Sequence, residues 1–204
     1  RSLPNNWISA LAVDGEGRLW IGTDGGGVVY RLPGDPRFHV PTNDAGRPLV
    51  DPQGRARFLV PTPRGRLWIG TRNAGLKLLD LTAGSARDFR HDPTDEASLS
   101  DDSLFALARD PSGVVWVGTQ RGLDRVDPES GRVVRFGPRL GSLAGAGRKL
   151  RVSALHLDGR GTLWIGTDEG LARLETASDR LELIRPDPSN PERLPDGRVT
   201  AIFE

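Results

Sequence analysis

Four tryptophans recur along this chain at one constant spacing, and this repeat constrains the fold more than any other feature. Each tryptophan follows the previous one by 48 residues and stands inside a nearly identical five-residue motif. The motif reads LWIGT at 19–23, 67–71 and 163–167 and VWVGT at 115–119, around Trp20, Trp68, Trp164 and Trp116. Repeats of about 40 to 50 residues are typical of four-stranded β-propeller blades, whereas helical repeats such as the ~34-residue helix pairs are shorter. The spacing therefore predicts propeller blades.

Within each unit, four short apolar segments alternate with clusters of Gly, Pro, Asp and Asn, a pattern typical of antiparallel hairpins. We name the segments strands A to D. In the third unit they are 103–109, 114–119, 123–127 and 132–136. In the first unit they are 7–13, 18–23, 27–32 and 37–40, and in the fourth 151–157, 162–167, 170–174 and 181–185. No stretch has the pattern of a long amphipathic helix, so the sequence predicts an all-β fold.

The chain divides into four complete units and the start of a fifth. The predicted blades are 3–48, 49–98, 99–146 and 147–193, and residues 194–204 repeat the pattern of strand A. A ring closed by four blades alone has no place for this additional strand. We therefore expect a segment of a larger propeller, or an open arc closed by another copy, because an unpaired strand edge is adhesive.

The loop between strands A and B has the composition of a type I turn. Asp110-Pro111-Ser112-Gly113 has Asp first, Pro second and Gly fourth, and 14–17 and 158–161 are similar. The second unit has Thr62-Pro63-Arg64-Gly65 instead. Because Asp and Thr side chains both accept hydrogen bonds from turn amides, the repeated Asp residues are interpreted as structural and not as a catalytic set.

The tryptophans are also interpreted as structural. Blades stack face against face, so the inner strands need bulky apolar side chains to fill the space between neighbours. Removal of one such tryptophan should cost about 3–5 kcal/mol. The Gly that follows in the motif permits a close approach of backbone.

Composition excludes several functions. Lys and Arg total 28 and Asp and Glu total 27, so the formal charge of +1 gives no electrostatic reason to bind nucleic acid. The chain has no Cys, which removes thiol catalysis and thiolate metal sites, and no apolar run reaches the ~18 residues of a membrane span. The three histidines, His39, His91 and His156, have no metal-ligand spacing. The sequence therefore predicts no catalytic residue, cofactor, metal site or membrane contact in this segment.

Any ligand is expected at the loops, which vary between blades while the strand pattern does not. The B–C loops and the starts of strand A open on the same face, at the mouth of the central channel. The candidates on the B–C loops are Asp24, Arg72, Asn73, Gln120, Arg121, Asp168 and Glu169, and those at the starts of strand A are Trp7, Arg55, Ser103 and Arg151. His156, on strand A near the axis, is a further candidate.

The unit ISALAVDGEGRLWIGTDGGGVVYRL at 8–32, together with FRHDPTDEASLS at 89–100, resembles the two-component regulator propeller repeat. The resemblance implies a sensor β-propeller of bacterial hybrid histidine kinases or diguanylate cyclases, with a periplasmic or other extracytoplasmic location. It also implies a small-molecule or oligosaccharide signal. Two regions depart from the pattern. Pro61 in strand A of the second unit has no amide to donate, so we expect it at the end of the strand or on a bulge, and this unit also lacks the Leu that precedes strand A elsewhere. In the fourth unit, GSLAGAGRK at 141–149 precedes strand A. We interpret 141–149 as a flexible or ligand-adjusted loop.

Three functions remain open at this stage. The first is a non-catalytic sensory or binding propeller in the input domain of a two-component or cyclic-dinucleotide receptor. The second is a lyase on the same scaffold, in which His156 and arginines at the channel mouth act on a carboxylated sugar or lactone. The third is a protein-docking scaffold that closes with other blades or forms a homo-oligomer through its open blade edges.

Overall fold

The structure is a computed structural model that describes residues 2–62, 65–145, 147–187, 189–190, 194 and 197–203. These residues form fifteen strands and one helix, and the chain divides into two compact units, residues 1–90 and 91–204. Each unit is built from two sheets, which we call blades one and two and blades three and four.

The first unit contains blades one and two. Blade one has the sheet order β1-β2-β3 and blade two the order β4-β5-β6-β7, all antiparallel. The strands are β1 (Ile8–Val13), β2 (Leu19–Thr23), β3 (Val28–Arg31), β4 (Ala56–Pro61), β5 (Arg66–Thr71), β6 (Leu76–Asp80) and β7 (Ser85–Phe89).

The second unit contains blades three and four, each a four-stranded antiparallel sheet in chain order. The strands of blade three are β8 (Leu104–Arg109), β9 (Val115–Thr119), β10 (Gly122–Val126) and β11 (Val133–Arg135). The helix α1 (Gly137–Ala144) follows, and blade four comprises β12 (Val152–Leu157), β13 (Thr162–Thr167), β14 (Leu171–Glu175) and β15 (Arg180–Ile184).

These sheets confirm the predicted all-β fold of propeller blades, with two corrections. The predicted fourth strand of blade one, 37–40, is reduced to an isolated bridge between Tyr30 and His39. The Gly-rich stretch predicted as a loop begins inside α1, whose Leu140 is fully buried. Leu140 packs with Phe136 and Leu150 in the core of the second unit, which ties the helix to the sheets.

Within each unit, the two blades meet at the glycine of the repeated motif. A Cβ atom at Gly118 would lie 2.7 Å from Val152 Cγ1 and 2.9 Å from the Val152 carbonyl oxygen, at the start of the next blade. A Cβ at Gly22 would likewise lie 3.0 Å from the Cβ of Ala56, the first residue of β4. A side chain at these positions would crowd the neighbouring inner strand. The glycine of the motif therefore allows the two blades to approach closely.

The residues predicted to start a fifth blade follow the same rule. Among the described residues 197–203 no strand is assigned, yet the Val199 amide donates to the Thr167 carbonyl at 2.9 Å. Ser153 Oγ donates to the Val199 carbonyl at 2.7 Å, and a Cβ at Gly166 would lie 2.8 Å from that same oxygen. In blade one, Ser9 Oγ bonds the Ala56 carbonyl in the same way. Val199 thus takes the place beside blade four that Ala56 takes beside blade one.

The Asp at the A–B turn binds both the turn and the tryptophan. Asp14 Oδ1 accepts from the amides of Glu16 and Arg18, both at 3.0 Å, and Oδ2 accepts from Trp20 Nε1 at 2.8 Å. Asp158 repeats this arrangement and accepts from Trp164 Nε1 at 3.1 Å. The structural interpretation of these carboxylates is confirmed, and the hydrogen bond to the indole is an additional role.

Blades two and three lack this bond to the indole. Asp110 accepts from the Val114 amide at 3.1 Å, but Trp116 Nε1 is buried with no hydrogen-bond partner among the described residues. The same holds for Trp68 Nε1, where the turn has Thr62 in place of Asp. Pro63 and Arg64 of that turn lie outside the described residues. Each of these two tryptophans instead packs on an aromatic ring from strand D or just beyond it, Trp68 on Phe89 and Trp116 on Phe136, with centroids 5.5 and 5.2 Å apart.

The predicted filling role of the tryptophans holds in three blades. Trp20, Trp68 and Trp116 are at most 1% exposed, whereas Trp164 is only partly buried. The tryptophan outside the repeat, Trp7, is 74% exposed.

We predict that Gly118→Ala lowers the free energy of unfolding by about 1–3 kcal/mol, because the new methyl group meets the backbone of Val152. Gly159→Ala is the matched control, since no atom lies within 4 Å of its Cβ position, and its effect should stay within about 0.5 kcal/mol. Urea denaturation of both variants measures the difference. Equal effects would contradict the interpretation of Gly118 as a contact between blades.

We also predict that Asp14→Asn destabilises the fold by about 1–3 kcal/mol, because the guanidinium of Arg18 and the indole N–H of Trp20 both lose a charged acceptor. Asp110→Asn is the control, since Asp110 accepts no bond from its tryptophan, and its urea midpoint should fall less. Burial raises the pKa of Asp14, but hydrogen bonds from Arg18 and Trp20 outweigh this and hold it below the ordinary value. The wild-type contribution is therefore present above about pH 4 and is lost as pH falls further. The difference between wild type and Asp14→Asn should shrink below that pH.

Candidate functional site

The loops that the sequence selects meet in the first unit. Asp24 forms an isolated bridge with Arg55, and Arg55 Nε lies 3.4 Å from Asp24 Oδ1. The Asp24 amide donates to the Trp7 carbonyl at 3.0 Å, and the Arg72 amide donates to the Arg55 carbonyl at 3.3 Å. Asp24, Arg55 and Arg72, together with Ser9 and Arg57, line a cavity of about 290 Å³. The B–C loops and the starts of strand A therefore lie together here.

Asn73 lies in a separate cavity of about 360 Å³ in the same unit. Arg55 lines this cavity too, as do Lys77 and Asp88, whose Nζ and Oδ1 atoms form an ion pair at 2.6 Å. The two cavities share Arg55 and Ala56 in their linings, so Asn73 is adjacent to the first cluster through these two residues.

The second unit repeats the pairing of loop and strand start. The Gln120 amide donates to the Ser103 carbonyl at 3.2 Å, and the Arg151 amide donates to Asp168 Oδ1 at 3.1 Å. The Arg151 guanidinium lies 4.8 Å from the centre of the Phe105 ring. Two further candidates pair outside the set, Arg121 with Asp101 at 3.2 Å and Glu169 with Arg148 at 2.7 Å.

The structure separates His156 from the other candidates. It lies on β12 opposite Trp164, near the A–B turn, whereas Arg151 precedes the other end of the strand. Five residues of extended strand correspond to ~16 Å, so an imidazole at 156 and a guanidinium at 151 do not share one small site.

A larger cavity, of about 410 Å³, lies between α1 and blade three. Arg121 is the one predicted candidate among its lining residues. The others were not predicted from the sequence, and they are His91, Ser100, Arg135, Gly137, Pro138, Gly141, Ser142, Gly147, Arg148 and Lys149. The sequence signal for this cavity was the departure of 141–149 from the repeat, because five of its lining residues belong to that stretch: Gly141, Ser142, Gly147, Arg148 and Lys149.

A buried carboxylate supports the floor of this cavity. Asp124 Oδ2 accepts from the amide and the hydroxyl of Ser100 at 2.8 and 2.9 Å, and Ser100 Oγ also lies 2.9 Å from Thr119 Oγ1. Asp124 is fully buried, and its Oδ1 has no hydrogen-bond partner among the described residues. Burial raises the pKa of Asp124 to about 6, although the bonds from Ser100 and the charge of Arg135 act in the opposite direction.

No group of three or more His, Asp or Glu residues in the described part of the chain is placed to hold a metal ion. No described helix is long and apolar enough to cross a membrane.

Three segments match the family model described as two component regulator propeller, at residues 2–25, 98–121 and 148–169. They fall in blades one, three and four, and the second blade, which departs from the pattern, contains no match. A search of curated proteins finds no significant match.

Solved structures share the fold. The extracellular domain of the putative one component system BT4673 from B. thetaiotaomicron is 22% identical, with a TM-score of 0.70 over 98% of this chain and 25% of that one. The extracellular domain of the putative hybrid two component system BT3049 from the same organism is 20% identical, with a TM-score of 0.65 over 88% of this chain and 24% of that one. This chain therefore spans about a quarter of the length of these domains.

Virginiamycin B lyase from Staphylococcus aureus is also similar, with 14% identity and a TM-score of 0.66 over 93% of this chain and 59% of that one. At these identities the likeness to solved structures shows the fold alone. The chain is folded as β-propeller blades, and three of its blades contain a segment that matches the two component regulator propeller model.

Proposed function

We propose that this chain is a non-catalytic sensory segment from the extracytoplasmic input domain of a bacterial two-component or cyclic-dinucleotide receptor. The observation that carries the proposal is the regulator propeller repeat in three blades. The extracellular domains of signalling systems among the similar structures support the same role and location.

The sensory surface in this proposal comprises the B–C loops and the starts of strand A. In both units the B–C loop is bonded to the start of strand A of the same blade, as in the bond from the Asp24 amide to the Trp7 carbonyl in the first unit and that from the Gln120 amide to the Ser103 carbonyl in the second. The loop side chains that project from this regular backbone differ between blades, and such variation on a rigid scaffold suits recognition of a signal.

The lyase alternative has less support. Acid–base catalysis requires the participating side chains to lie within hydrogen-bond reach of one substrate atom. His156 lies on β12 about five residues from Arg151, at the end of the strand that carries the A–B turn. The similar lyase shares the fold at 14% identity, which carries no residue of its active site to this chain.

Docking of a second copy is favoured by one exposed face of blade one. Leu11 and Val13, two residues apart on β1 and therefore on one face, are 61% and 65% exposed. Leu59 occupies the position of Leu11 in blade two, with Ile69 in place of Ile21 as its strand partner, and is only 8% exposed. In blade two this face is covered by blade one, so the composition of the exposed face suits a cover of the same kind. We propose that another propeller blade supplies it, and that in a sample of residues 1–204 alone this blade comes from a second copy of the chain.

The receptor proposal predicts the sequence of the gene on both sides of the region that encodes residues 1–204. Further propeller repeats, a membrane-spanning helix and a histidine kinase or diguanylate cyclase are expected. Sequencing of the gene tests this directly. A stop codon that leaves no output module, or a fused catalytic domain of another kind, would contradict the proposed function.

The docking proposal predicts concentration-dependent association of the chain, measured by sedimentation velocity. Leu11→Lys should abolish association, because a charge at the centre of the apolar face opposes its burial. Val40→Lys is the control, since Val40 is also exposed, at 42%, but lies outside β1. A monomeric wild-type protein at all accessible concentrations, or equal loss in both variants, would refute docking through this face.

A further inference from the structure

The cavity between α1 and blade three has an excess of positive charge. Its lining contains Arg121, Arg135, Arg148 and Lys149, together with His91, and no carboxylate among the described residues. Two of these cations are neutralised by neighbours outside the lining, Arg121 by Asp101 and Arg148 by Glu169. Lys149 has no ion pair or hydrogen bond within the described part of the chain.

Arg135 contributes a second positive charge that no direct ion pair neutralises within the described residues. Its guanidinium donates to neutral oxygens only, which are the carbonyls of Asp95, Ser98 and Leu99 and the hydroxyl of Ser98, at 2.8 to 3.0 Å. These bonds fix the side chain in place. The cavity therefore contains one positioned cation, Arg135, and one exposed cation without a bonded partner among the described residues, Lys149.

The fold does not require charge at this position. Arg135 and Asp124 are a cross-strand pair, and the equivalent pair in blade four is Leu183 and Ala172. Blade two has Asp88 and Lys77 there, which form a direct ion pair. Blade three alone buries the carboxylate under Ser100 and leaves the arginine beside a cavity.

The opposite wall is a helix packed closely on two loops. A Cβ at Gly141 would lie 2.0 Å from the Arg148 carbonyl oxygen, and one at Gly137 would lie 2.9 Å from the Arg121 carbonyl oxygen. Leu140, fully buried between them in the chain, anchors the helix. The first turn of α1 has neither a capping side chain nor an acidic residue, so the positive end of its dipole adds to the potential at the cavity.

The size and the mixed lining indicate the occupant. A volume of about 410 Å³ is within the range of small-molecule sites, which is ~300–1,000 Å³. Pro138 and the glycines supply apolar surface, while the arginines and the lysine supply charge. We propose that this cavity binds a small organic carboxylate, with its anionic group between Lys149 and Arg135 and its carbon skeleton against Pro138. The inference deepens the proposed sensory function and rests on it, since the carboxylate would be the signal.

Titration calorimetry of the chain with malonate, succinate and glutarate tests this inference, with the diamide of succinate as the neutral control. We expect saturable binding of at least one diacid, with Kd of ~10 µM to 1 mM, and none of the diamide. Lys149→Gln should weaken binding about tenfold or more, since it removes a charged hydrogen bond. Lys77→Gln is the matched control, because Lys77 is the only other lysine and lies in the first unit. It should leave Kd unchanged.

The two lysines also allow a test that does not depend on substitution. The diacid that binds should slow acetylation of Lys149 by an amine-reactive reagent, while Lys77 in the same sample serves as the internal reference. Mass spectrometry of proteolytic fragments measures both rates. Protection of Lys149 alone supports the site.

Several outcomes would overturn the inference. They are no diacid binding at about 10 mM, equal weakening in both lysine variants, equal protection of both lysines, or inorganic phosphate binding as tightly as the diacids. Failure of the receptor proposal is distinguishable, because a gene without an output module would leave the binding isotherm unchanged. A flat isotherm, in turn, would leave the receptor proposal standing with a different signal.

Discussion

The contact on which the rest of each unit depends is the approach of one inner strand to the glycine of the preceding blade. At Gly22, Gly118 and Gly166 the next segment of chain lies within 3.0 Å of where a side chain would begin. A Cβ atom at Gly118 or Gly166 would clash at this distance, and one at Gly22 would be crowded, so the close stacking of the blades depends on glycine as the fourth residue of the repeated motif. The hydroxyls of Ser9 and Ser153 then bond the carbonyl of the arriving strand. A stack held in this way presents the loops of its two blades in a regular arrangement, which the proposed sensory surface would use.

Most of this scaffold could be predicted because its causes are local and repeated. The turn signatures place Asp14, Asp110 and Asp158, and the structure confirms that their oxygens bind turn amides. The repeated motif predicts sheets, and four sheets are present. The predicted fourth strand of blade one does not form because Pro36 and Pro41 flank the short segment 37–40, and proline has no amide hydrogen to donate to a strand ladder. Only the bridge between Tyr30 and His39 forms.

The candidate cavity could not be predicted in the same way, because its residues come from parts of the chain that the repeat does not relate. His91 and Ser100 precede blade three, Arg135 ends it, and Lys149 follows α1. The helix itself was missed because it has eight residues, includes two glycines and a proline, and depends on burial of Leu140 more than on propensity. The available sequence signal was a segment that departs from the repeat, and 141–149 is the clearest such segment.

Blade three shows that charged residues can replace apolar ones in a repeat while the fold stays the same. Its strands keep the register of blade four, including the bulge after the first residue of strand A. At one cross-strand pair, however, Asp124 and Arg135 replace the Ala172 and Leu183 of blade four. Burial raises the pKa of Asp124 to about 6, above the ordinary value, so between about pH 4 and that pKa the folded chain binds more protons than the unfolded chain. The free energy of unfolding therefore falls as pH rises through this window, so the buried carboxylate of Asp124 does not serve stability alone.

Asp124 instead holds Ser100 in place at the floor of the positively charged cavity, and its charge is favourable for Arg135 at the side of that cavity.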